Sequence, residues 1–339
     1  MTSMLQVCDI LWGTDRIIDD DPITSVVNGG FYLPYKSGGS WGIFDRDGQI
    51  VGAATDFRDK NQLSHNQVVD PLSTSNYGMI PEAAGSYIYG GYINLHYGHF
   101  IINSLPRLWN ISRIKTPSTK ILCHGICQPK DWFAFPFIAA IMGALGLKPD
   151  DFVSPTDPVR LSALIVPGTS LHEQTAGHRV YGSFCREIGR RLLHGRSITA
   201  GSRFAYFSKS RLKSAVGLVE NEIEIDDTLR SLGVDIFYPE LMPLQDQIGV
   251  FVDYEYVLGT AGSFMHTSIF SEKSKIICLN VTSQINTNYK IIDLLADNDA
   301  SYLYPPAMKV SSGRAGVMTT RYLPDAADVA KEFFSRIPK

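Results

Sequence analysis

Two histidines and an asparagine follow a strand-like segment in the first third of the chain. The segment runs from Tyr87 to Tyr92, and Asn94, His96 and His99 come soon after it. The unperturbed pKa of an imidazole is about 6.5, so a histidine can take up or release a proton near neutral pH. Ligands of α/β sheets bind in loops at the carboxyl ends of strands, which is where these side chains fall. They are candidate acid–base groups; a helix cap or a hydrogen-bonded core histidine is the alternative interpretation of either ring.

The stretch from Tyr256 to His266 has the pattern of a strand, a glycine turn and a helix. Tyr256 to Leu258 is apolar, Gly259 to Gly262 forms the turn, and a helix is predicted to open at Ser263. A helix N-terminus carries unpaired backbone N–H groups and the positive end of the helix dipole, and glycine lets a phosphate approach the backbone. The stretch is therefore a candidate diphosphate cradle, although such joints also serve as plain connections.

A basic loop supplies the cations that such a cradle needs. Lys209, Arg211 and Lys213 stand among serines directly after the strand-like segment Arg203 to Ser208. A guanidinium binds phosphate oxygens bidentately. The loop and the glycine turn both follow strands, so in a parallel sheet they lie at the same edge. Together they predict a site for a nucleotide diphosphate that needs no metal, whereas the loop alone is more typical of a solvated basic surface.

The elements that must position these groups alternate along the chain. Residues 1 to 90 have the pattern of strands and turns, including Ile23 to Leu33. The later segments of the first half predict, in order, a helix from about His99, a strand at Thr119 to Cys123, a helix at Trp132 to Leu147, a strand at Leu161 to Pro167 and a helix at His178 to His194.

The second half alternates more regularly, which implies parallel strands and crossover helices in a Rossmann-like domain. Its predicted helices are Asn221 to Leu232, Leu244 to Tyr254, Ser263 to Phe270 and Asp325 to Ile337, and its strands are Arg203 to Ser208, Val234 to Tyr238, Tyr256 to Leu258 and Lys275 to Asn280. The polar stretch from Gly195 to Ser202 marks a boundary. We predict an N-terminal α/β domain at residues 1–198, a Rossmann-like domain at 199–323 and a terminal helix at 324–339 that is able to pack back across the junction.

Two short patterns match metal sites, and each has a plainer interpretation. Asp45-Arg46-Asp47 spells an Asp-x-Asp pattern that can hold a metal-bound nucleotide, but with Gly48 it also marks a hairpin turn. Cys123 and Cys127 flank a histidine, yet no second pair of ligands follows, so buried strand-end residues are favoured over zinc. We therefore predict that no metal is required.

The composition limits the class of partner. A net charge of −3 argues against a general binder of nucleic acid, which needs a basic face. The longest apolar run, Trp132 to Leu147, is broken by Pro136 and is too short to span a bilayer, which leaves peripheral association as the form of membrane contact. The N-terminus lacks the basic region of a signal peptide, and the five cysteines are dispersed. Both features predict a cytoplasmic protein.

Four blocks occur in the order and spacing of a known family. Asn94 to Trp109 resembles its Asn-x-x-His-aromatic-Leu-Leu-acid-x-Leu-Pro-Arg-Leu motif, Tyr206 to Arg211 with Asn221-Glu222 its Ser-Arg…Asn-Glu motif, Tyr238-Pro-Glu240 with Gln247 its Phe-Pro-Glu…Gln motif, and Gly259 to His266 its bacterial Gly-Pro-Thr-Gly-Ser-Ala-Leu-His variant. The family is glycosyltransferase family 61, which includes bacterial polysaccharide transferases and eukaryotic protein O-linked N-acetylglucosaminyl- and xylosyltransferases. The resemblance covers residues from about 85 to about 280.

The resemblance implies a GT-B architecture, in which two Rossmann-like α/β domains face each other across a cleft. It also implies inverting, metal-independent transfer from a nucleotide-diphosphate sugar on the C-terminal domain to a glycan acceptor on the N-terminal domain. By this resemblance the donor would be bound by Lys209, Arg211, Lys213, Glu240, Gly259, Gly262, Ser263 and His266, the catalytic centre would contain His99, His96 and Asn103, and the acceptor side would contain Asn94 and Arg107.

Two positions depart from the family pattern. Many relatives carry Asp or Glu four residues after the motif histidine, where this chain has Asn103, and an amide cannot accept a proton from an acceptor hydroxyl. His99 or His96 must then be the base, or a carboxylate elsewhere must reach the site, or the chain must be inactive. The strand after the glycine turn often ends near a glutamate in relatives, whereas here it carries Cys278.

Three functional hypotheses follow. The favoured one is a single in-line displacement, in which an activated acceptor hydroxyl attacks the anomeric carbon during assembly of a polysaccharide or lipid-linked glycan. A nucleotide-sugar 2-epimerase would act on the donor without an acceptor. A catalytically degenerate transferase, suggested by Asn103, would bind a glycan or a protein partner without turnover.

Overall fold

The computed structural model describes residues 3–59, 62–67, 79–196, 203–213, 217–312 and 319–338. The chain divides into two compact units, one formed by Asp15–Phe184 and the other by Met1–Thr14 together with Cys185–Lys339. The domain boundary expected at residue 198 falls within 197–202, outside the described residues, and the domain bounds stay a prediction.

The strands of both units are short, and most have fewer than eight residues. In chain order they are β1 (Gln6–Val7), β2 (Ile10–Trp12), β3 (Arg16–Ile18), β4 (Thr24–Leu33), β5 (Gly42–Phe44), β6 (Phe57–Arg58), β7 (Gln62–Leu63), β8 (Glu82–Ala83), β9 (Ser86–Tyr92), β10 (Thr119–His124), β11 (Phe152–Val153), β12 (Val159–Pro167), β13 (Leu171–His172), β14 (Ala176–His178), β15 (Phe204–Phe207), β16 (Asp235–Phe237), β17 (Tyr256–Thr260), β18 (Lys275–Leu279), β19 (Gln284–Asn286), β20 (Asp299–Tyr304), β21 (Lys309–Ser312) and β22 (Thr320–Tyr322).

The helices are α1 (Tyr97–His99), α2 (Ile111–Ile114), α3 (Pro129–Trp132), α4 (Pro136–Ala144), α5 (Arg179–Leu192), α6 (Glu222–Ser231), α7 (Leu244–Asp253), α8 (Phe264–Thr267), α9 (Thr287–Ala296) and α10 (Ala326–Ser335). Short 3-10 turns lie at Gly52–Ala54, Ser64–Asn66, Leu105–Leu108, Pro149–Asp151, Pro239–Leu241 and Ser268–Phe270, and a π-helical turn lies at Phe100–Ser104. The single helix expected over Trp132 to Leu147 is wrong, because Pro136 begins a new helix: proline fits the first turn but not a helix interior.

The Asp15–Phe184 unit is built on a mixed sheet. Its strands lie in the order β11-β10-β9-β12-β4-β5, and β8 also pairs with β12. Neighbours from β11 to β12 are parallel, whereas β4 is antiparallel to both β12 and β5. The predicted turn after β5 is confirmed, since the Asp45 carboxylate accepts the N–H groups of Asp47 and Gln49, both at 2.9 Å. These bonds give Asp45 a structural role in the turn.

The other unit contains a doubly wound sheet, as the strand–helix alternation predicts. The order is β1-β20-β18-β17-β15-β16, and every neighbour pair except β1 with β20 is parallel. Numbered by their order in the chain from β15 onward, the five parallel strands lie in the order 2-1-3-4-5. In such sheets the connections leave β15 and β17 in opposite directions, and ligands bind beside the carboxyl ends of these two strands.

Alternate residues of the parallel strands enter two cores, one on each face of this sheet. Tyr206 and Leu258 pack with Leu229 of α6 and Phe333 of α10, while Phe207 and Val257 pack with residues of α7 and α8. The final helix therefore packs on α6 of its own unit. Both faces of the sheet are covered, as a parallel sheet requires.

Asp293 makes the stability of this unit depend on pH. Its carboxylate is 3% exposed and accepts a hydrogen bond from the Tyr302 hydroxyl at 2.6 Å. Burial raises its pKa from 3.8 to about 6, although the Tyr302 bond and Lys290 act in the opposite direction. Between these two values the folded protein binds more protons than the unfolded chain, so the free energy of unfolding falls as pH rises through this window.

We predict that Asp293→Asn removes this dependence. Between about pH 4 and about pH 7 the wild type should lose roughly 2–3 kcal/mol more of its free energy of unfolding than the variant. Urea unfolding of both proteins at each pH measures the difference. Parallel pH profiles for the two proteins would contradict the assignment.

Candidate active site

Lys209 joins the loop after β15 to the turn after β17. Its ammonium donates hydrogen bonds to the carbonyl oxygens of Ala261 and Gly217, both at 2.8 Å, and the residue is only 7% exposed. Burial lowers the pKa of this group, while the Glu222 carboxylate acts in the opposite direction. The side chain therefore ties the two segments together, because a buried cation needs such hydrogen-bond partners.

Glu222 anchors the base of the same loop. This first residue of α6 is fully buried and accepts hydrogen bonds from the Lys209 N–H at 3.0 Å and the Tyr206 hydroxyl at 2.9 Å. The Tyr206 oxygen lies 2.7 Å from the Thr260 hydroxyl, which must be the donor because Tyr206 gives its own proton to the carboxylate. One buried network thus connects the loop, α6 and the end of β17.

Arg211 is the exposed cation that stacks on the edge of this cluster. Its guanidinium carbon lies 3.8 Å from the centre of the Tyr238 ring, a cation–π contact. Within the described ranges, no carboxylate lies at ion-pair distance from Arg211. Its hydrogen-bonding edge is consequently available to an anionic ligand.

The serines of the loop point to Asp226. Its carboxylate accepts hydrogen bonds from Ser208 at 2.9 Å and Ser210 at 2.7 Å, and the Tyr238 hydroxyl lies 3.4 Å away. Burial raises the pKa of Asp226 to about 6, against the effect of these hydrogen bonds. These two hydroxyls are therefore bound to a carboxylate of the protein.

The glycine turn is closed by core packing at Gly259 and is half-buried at Gly262. A β-carbon at Gly259 would lie 2.4 Å from the Phe264 ring and 2.9 Å from the Phe207 carbonyl oxygen, so core packing requires this glycine. At Gly262 the nearest atom would be a Lys209 methylene carbon at 3.2 Å. Among the described residues, none accepts a hydrogen bond from the N–H of Gly262 or Ser263. These two amides are the part of the turn that can bind an anion.

The helix after this turn is shorter than expected. Instead of one helix from Ser263 to Phe270, α8 ends at Thr267 and a 3-10 turn follows. The Ser268 and Ser271 hydroxyls donate to backbone carbonyls three residues earlier, a bond that competes with regular helix. Because the helix dipole sums over aligned peptide units, a single turn contributes little to anion binding.

The remaining predicted donor residues lie in the same unit as this cluster. His266 is 7% exposed, and its ring centre lies 5.3 Å from that of Tyr289. Glu240 is exposed in the 3-10 turn Pro239–Leu241, and Lys213 is exposed in the loop. Their roles as donor contacts stay predictions.

The predicted histidine loop lies in the Asp15–Phe184 unit, between β9 and α1. Asn94 shapes it, since its side-chain oxygen accepts the His96 N–H and its own N–H donates to the Ser104 hydroxyl, both at 2.9 Å. His96 is exposed, and its ring centre lies 5.4 Å from that of His99. Desolvation and the neighbouring His99 lower the pKa of His96. The two rings are close enough to serve one site.

Glu173 is a candidate residue that the sequence did not reveal. His99 Nδ1 lies 3.0 Å from Asn103 Oδ1, and Asn103 Nδ2 donates to Glu173 Oε2 at 3.0 Å. Asn103 and Glu173 are 5% and 4% exposed. Glu173 lies in the turn between β13 and β14, 70 residues after Asn103, so no local pattern could connect the two. A carboxylate from elsewhere in the chain therefore reaches Asn103, which in turn contacts His99.

Arg107 is a core residue of the same unit. It is 1% exposed, and its guanidinium donates to the carbonyl oxygens of Ala53 at 2.7 Å and Pro167 at 2.8 Å and pairs with Asp56. These hydrogen bonds join three separate segments. Its role as an acceptor contact stays a prediction, and its observed partners are internal.

The cysteine–histidine pattern is part of the core, as the simpler interpretation held. Cys123 and His124 are buried at the end of β10, and the His124 ring lies 3.0 Å from the Tyr89 hydroxyl and 2.9 Å from the Leu33 carbonyl oxygen. Burial lowers the pKa of His124 to about 3. In the part of the chain that the structure describes, no group of three histidine, cysteine or acidic side chains is arranged to hold a metal ion.

Comparison with known proteins identifies one family. A family model described as Glycosyltransferase 61 matches residues 97–278, which is more than half of the chain. The matched region runs from α1 to β18 and contains His99, Glu173, the basic loop and the glycine turn. No curated protein matches the chain significantly. Across the described ranges, no helix is both long and apolar enough to cross a membrane.

We predict that Lys209→Met uncouples the loop from the turn. Methionine retains most of the volume but leaves the carbonyl oxygens of Ala261 and Gly217 without their donor, so the free energy of unfolding should fall by roughly 2–4 kcal/mol. Lys213→Met removes an exposed cation from the same loop and should change it by less than about 0.5 kcal/mol. Urea unfolding measures both values, and equal losses in the two variants would exclude the proposed tie.

Proposed function

The chain belongs to the glycosyltransferase 61 family, and from this premise we propose that it transfers a sugar from a nucleotide-diphosphate sugar to a glycan acceptor, with inversion and without a bound metal. Family membership implies glycosyltransferase activity. The donor class, the stereochemistry and the independence from metal are the proposal.

The observation that carries the proposal is the junction at Lys209. It holds the basic loop and the glycine turn together beside the carboxyl ends of β15 and β17, where doubly wound sheets bind nucleotides. We assign the diphosphate to the Arg211 guanidinium and the N–H groups of Gly262 and Ser263. Lys209 and Glu222 keep these donors in place, and Lys213, Glu240 and His266 complete the donor side.

We assign the general base to His99. An imidazole is suited to accepting a proton near neutral pH, and His99 has a side-chain partner on Nδ1 that leaves Nε2 for the substrate. His96, more exposed, is the alternative base, and Asn94 shapes the loop that carries it. Arg107 supports this region from the core.

The proposed reaction is a single displacement. The acceptor oxygen forms a bond to the anomeric carbon, the bond from that carbon to the diphosphate oxygen breaks, and the acceptor proton moves to His99. Arg211 and the two amides stabilise the negative charge that develops on the diphosphate. In metal-dependent transferases a bound cation stabilises this charge, and here Arg211 and the two amides would do so instead.

Two broader features belong to the same proposal. The GT-B arrangement of two facing Rossmann-like domains is supported by the doubly wound sheet of the C-terminal unit. Action in polysaccharide or lipid-linked glycan assembly is supported by the resemblance of the glycine turn to the bacterial form of its motif.

A 2-epimerase would convert one nucleotide sugar alone into its epimer, a product that chromatography separates from nucleoside diphosphate.

We predict that Arg211→Ala lowers kcat at least about 100-fold, because one donor to a developing oxyanion contributes about 3 kcal/mol. The assay is release of nucleoside diphosphate from a panel of UDP- and GDP-sugars in EDTA, with water accepting the sugar where no glycan is added. Arg230→Ala is the matched control, since Arg230 is also exposed and its guanidinium lies 3.5 Å from the Tyr238 hydroxyl. The control should stay within about twofold of wild type. Near-normal turnover by Arg211→Ala would remove the clamp assignment.

We predict that His99→Ala and His96→Ala differ. Loss of a general base costs about 100-fold or more in kcat, so His99→Ala should show this loss with the donor KM changed by less than about threefold. His96→Ala should lose less than about tenfold. If His96→Ala loses more kcat than His99→Ala in the same release assay, His96 is the base instead.

A further inference from the structure

Asn103 stands between an imidazole and a carboxylate inside the Asp15–Phe184 unit. Its Oδ1 faces His99 and its Nδ2 faces Glu173, each at 3.0 Å. Glu173 Oε1 lies 3.4 Å from Arg58 Nε, so the carboxylate is paired with a cation. An ionised carboxylate only accepts hydrogen bonds. Asn103 must therefore direct its NH2 group to Glu173 and its oxygen to His99.

This orientation of the amide selects the tautomer of His99. The Asn103 oxygen is an acceptor, so Nδ1 of His99 must carry a proton. In the neutral ring the lone pair is then on Nε2, which can take a proton from an acceptor hydroxyl. If position 103 instead directed its NH2 group to the ring, the proton would lie on Nε2 and that nitrogen could not act as a base.

We infer that Asn103 and Glu173 are a positioning pair for His99: Glu173 orients the amide, the amide holds the ring as its Nδ1–H tautomer, and the carboxylate charge stabilises the imidazolium formed during transfer. The inference rests on the proposed function only in assigning the base to His99. In that step the acceptor proton moves to Nε2, while Asn103 and Glu173 exchange no proton. A carboxylate from the β13–β14 turn thus acts through the amide at position 103.

Of the described titratable groups around His99, Glu173 is the one that can stabilise its imidazolium. The His96 ring faces His99 at a centre-to-centre distance of 5.4 Å. His65 is within electrostatic range of His99, and burial lowers the pKa of His65 to about 4, so it is neutral near pH 7. Asp56 is bound to Arg107. Among the described residues, Glu173 is the carboxylate linked to His99 through one hydrogen-bonded side chain.

Moving the carboxylate from position 173 to position 103 tests the pair. Asn103→Asp alone places two carboxylates in contact, and their repulsion should lower turnover about 10-fold or more. Glu173→Gln alone removes the charge and the fixed orientation and should also cost about 10-fold. In the double variant the amide introduced at position 173 can donate to the carboxylate introduced at position 103, which accepts Nδ1–H directly. Its turnover should return to within about threefold of wild type.

Turnover is the release of nucleoside diphosphate from the UDP- or GDP-sugar that the wild type uses fastest, and thermal unfolding of each variant verifies its fold. Recovery in the double variant supports the pair. The inference is overturned if Asn103→Asp alone equals or exceeds the wild type, because position 103 would then simply lack its base. The inference is also overturned if the loss of turnover in the double variant equals the product of the losses in the two single variants, because the two substitutions would then act independently.

Nitrogen-15 NMR of histidine-labelled protein provides a second readout that needs no substrate. At about pH 8 free imidazole is neutral, and the His99 signals are those absent from His99→Ala. The wild type and the double variant should show the Nδ1–H tautomer, and Glu173→Gln, whose amide can donate or accept, should show both tautomers. An Nε2–H tautomer in the wild type overturns the inference. Absence of turnover with a correct tautomer would instead count against the proposed function.

Discussion

One buried ammonium group holds the loop after β15 against the turn after β17. Taking the Lys209 charge out of water is costly unless the ammonium finds hydrogen-bond partners, and two carbonyl oxygens, of Gly217 and Ala261, supply such partners. The cost of leaving the ammonium unpaired forces the loop after β15 to stay against the turn after β17. Arg211 is left outside this network, stacked on Tyr238 with its hydrogen-bonding edge exposed. Lys209 is thus a structural cation, and Arg211 is the cation that we propose as the ligand contact.

The other unit also contains one cation with internal partners and one side chain that we propose for catalysis. Arg107 is bound to internal carbonyl groups, whereas His99 contacts Asn103 through Nδ1, and its Nε2 is the nitrogen that we propose as the base. Between them, Asn103 satisfies a carboxylate on one side and an imidazole on the other, and neither contact can reverse without leaving a buried group unpaired. The amide at position 103 was the reason to consider a degenerate transferase. Glu173 weakens that reason, because it brings a carboxylate to the histidine through the amide.

Periodicity predicted the parts of the fold in which one face of an element is apolar. Ile225 and Leu229 of α6 and Phe333 of α10 are buried as their spacing indicates, whereas Leu232, which the same spacing places on the α6 face, is exposed just after the helix ends. Strands β15, β17 and β18 lie within two residues of their expected bounds. Side-chain partners from distant segments could not be predicted in this way. Nothing local indicates that a loop lysine binds carbonyl groups or that serines bind Asp226. The contact between Asn103 and Glu173 depends on the folding of β13 against the π-helical turn that carries Asn103, which no sequence spacing records.

The most direct test of the account is a thermal-shift panel of UDP, GDP and their common sugar conjugates on the wild-type protein in EDTA. A ligand at 100 times its dissociation constant stabilises a protein by about 2.7 kcal/mol, enough to raise the melting temperature measurably. The account predicts that at least one nucleotide sugar and its bare nucleoside diphosphate stabilise the protein without metal, whereas the corresponding nucleoside does not. Stabilisation that appears only when a divalent cation is added, or equal stabilisation by the nucleoside, would contradict a donor site built from Arg211 and two backbone amides.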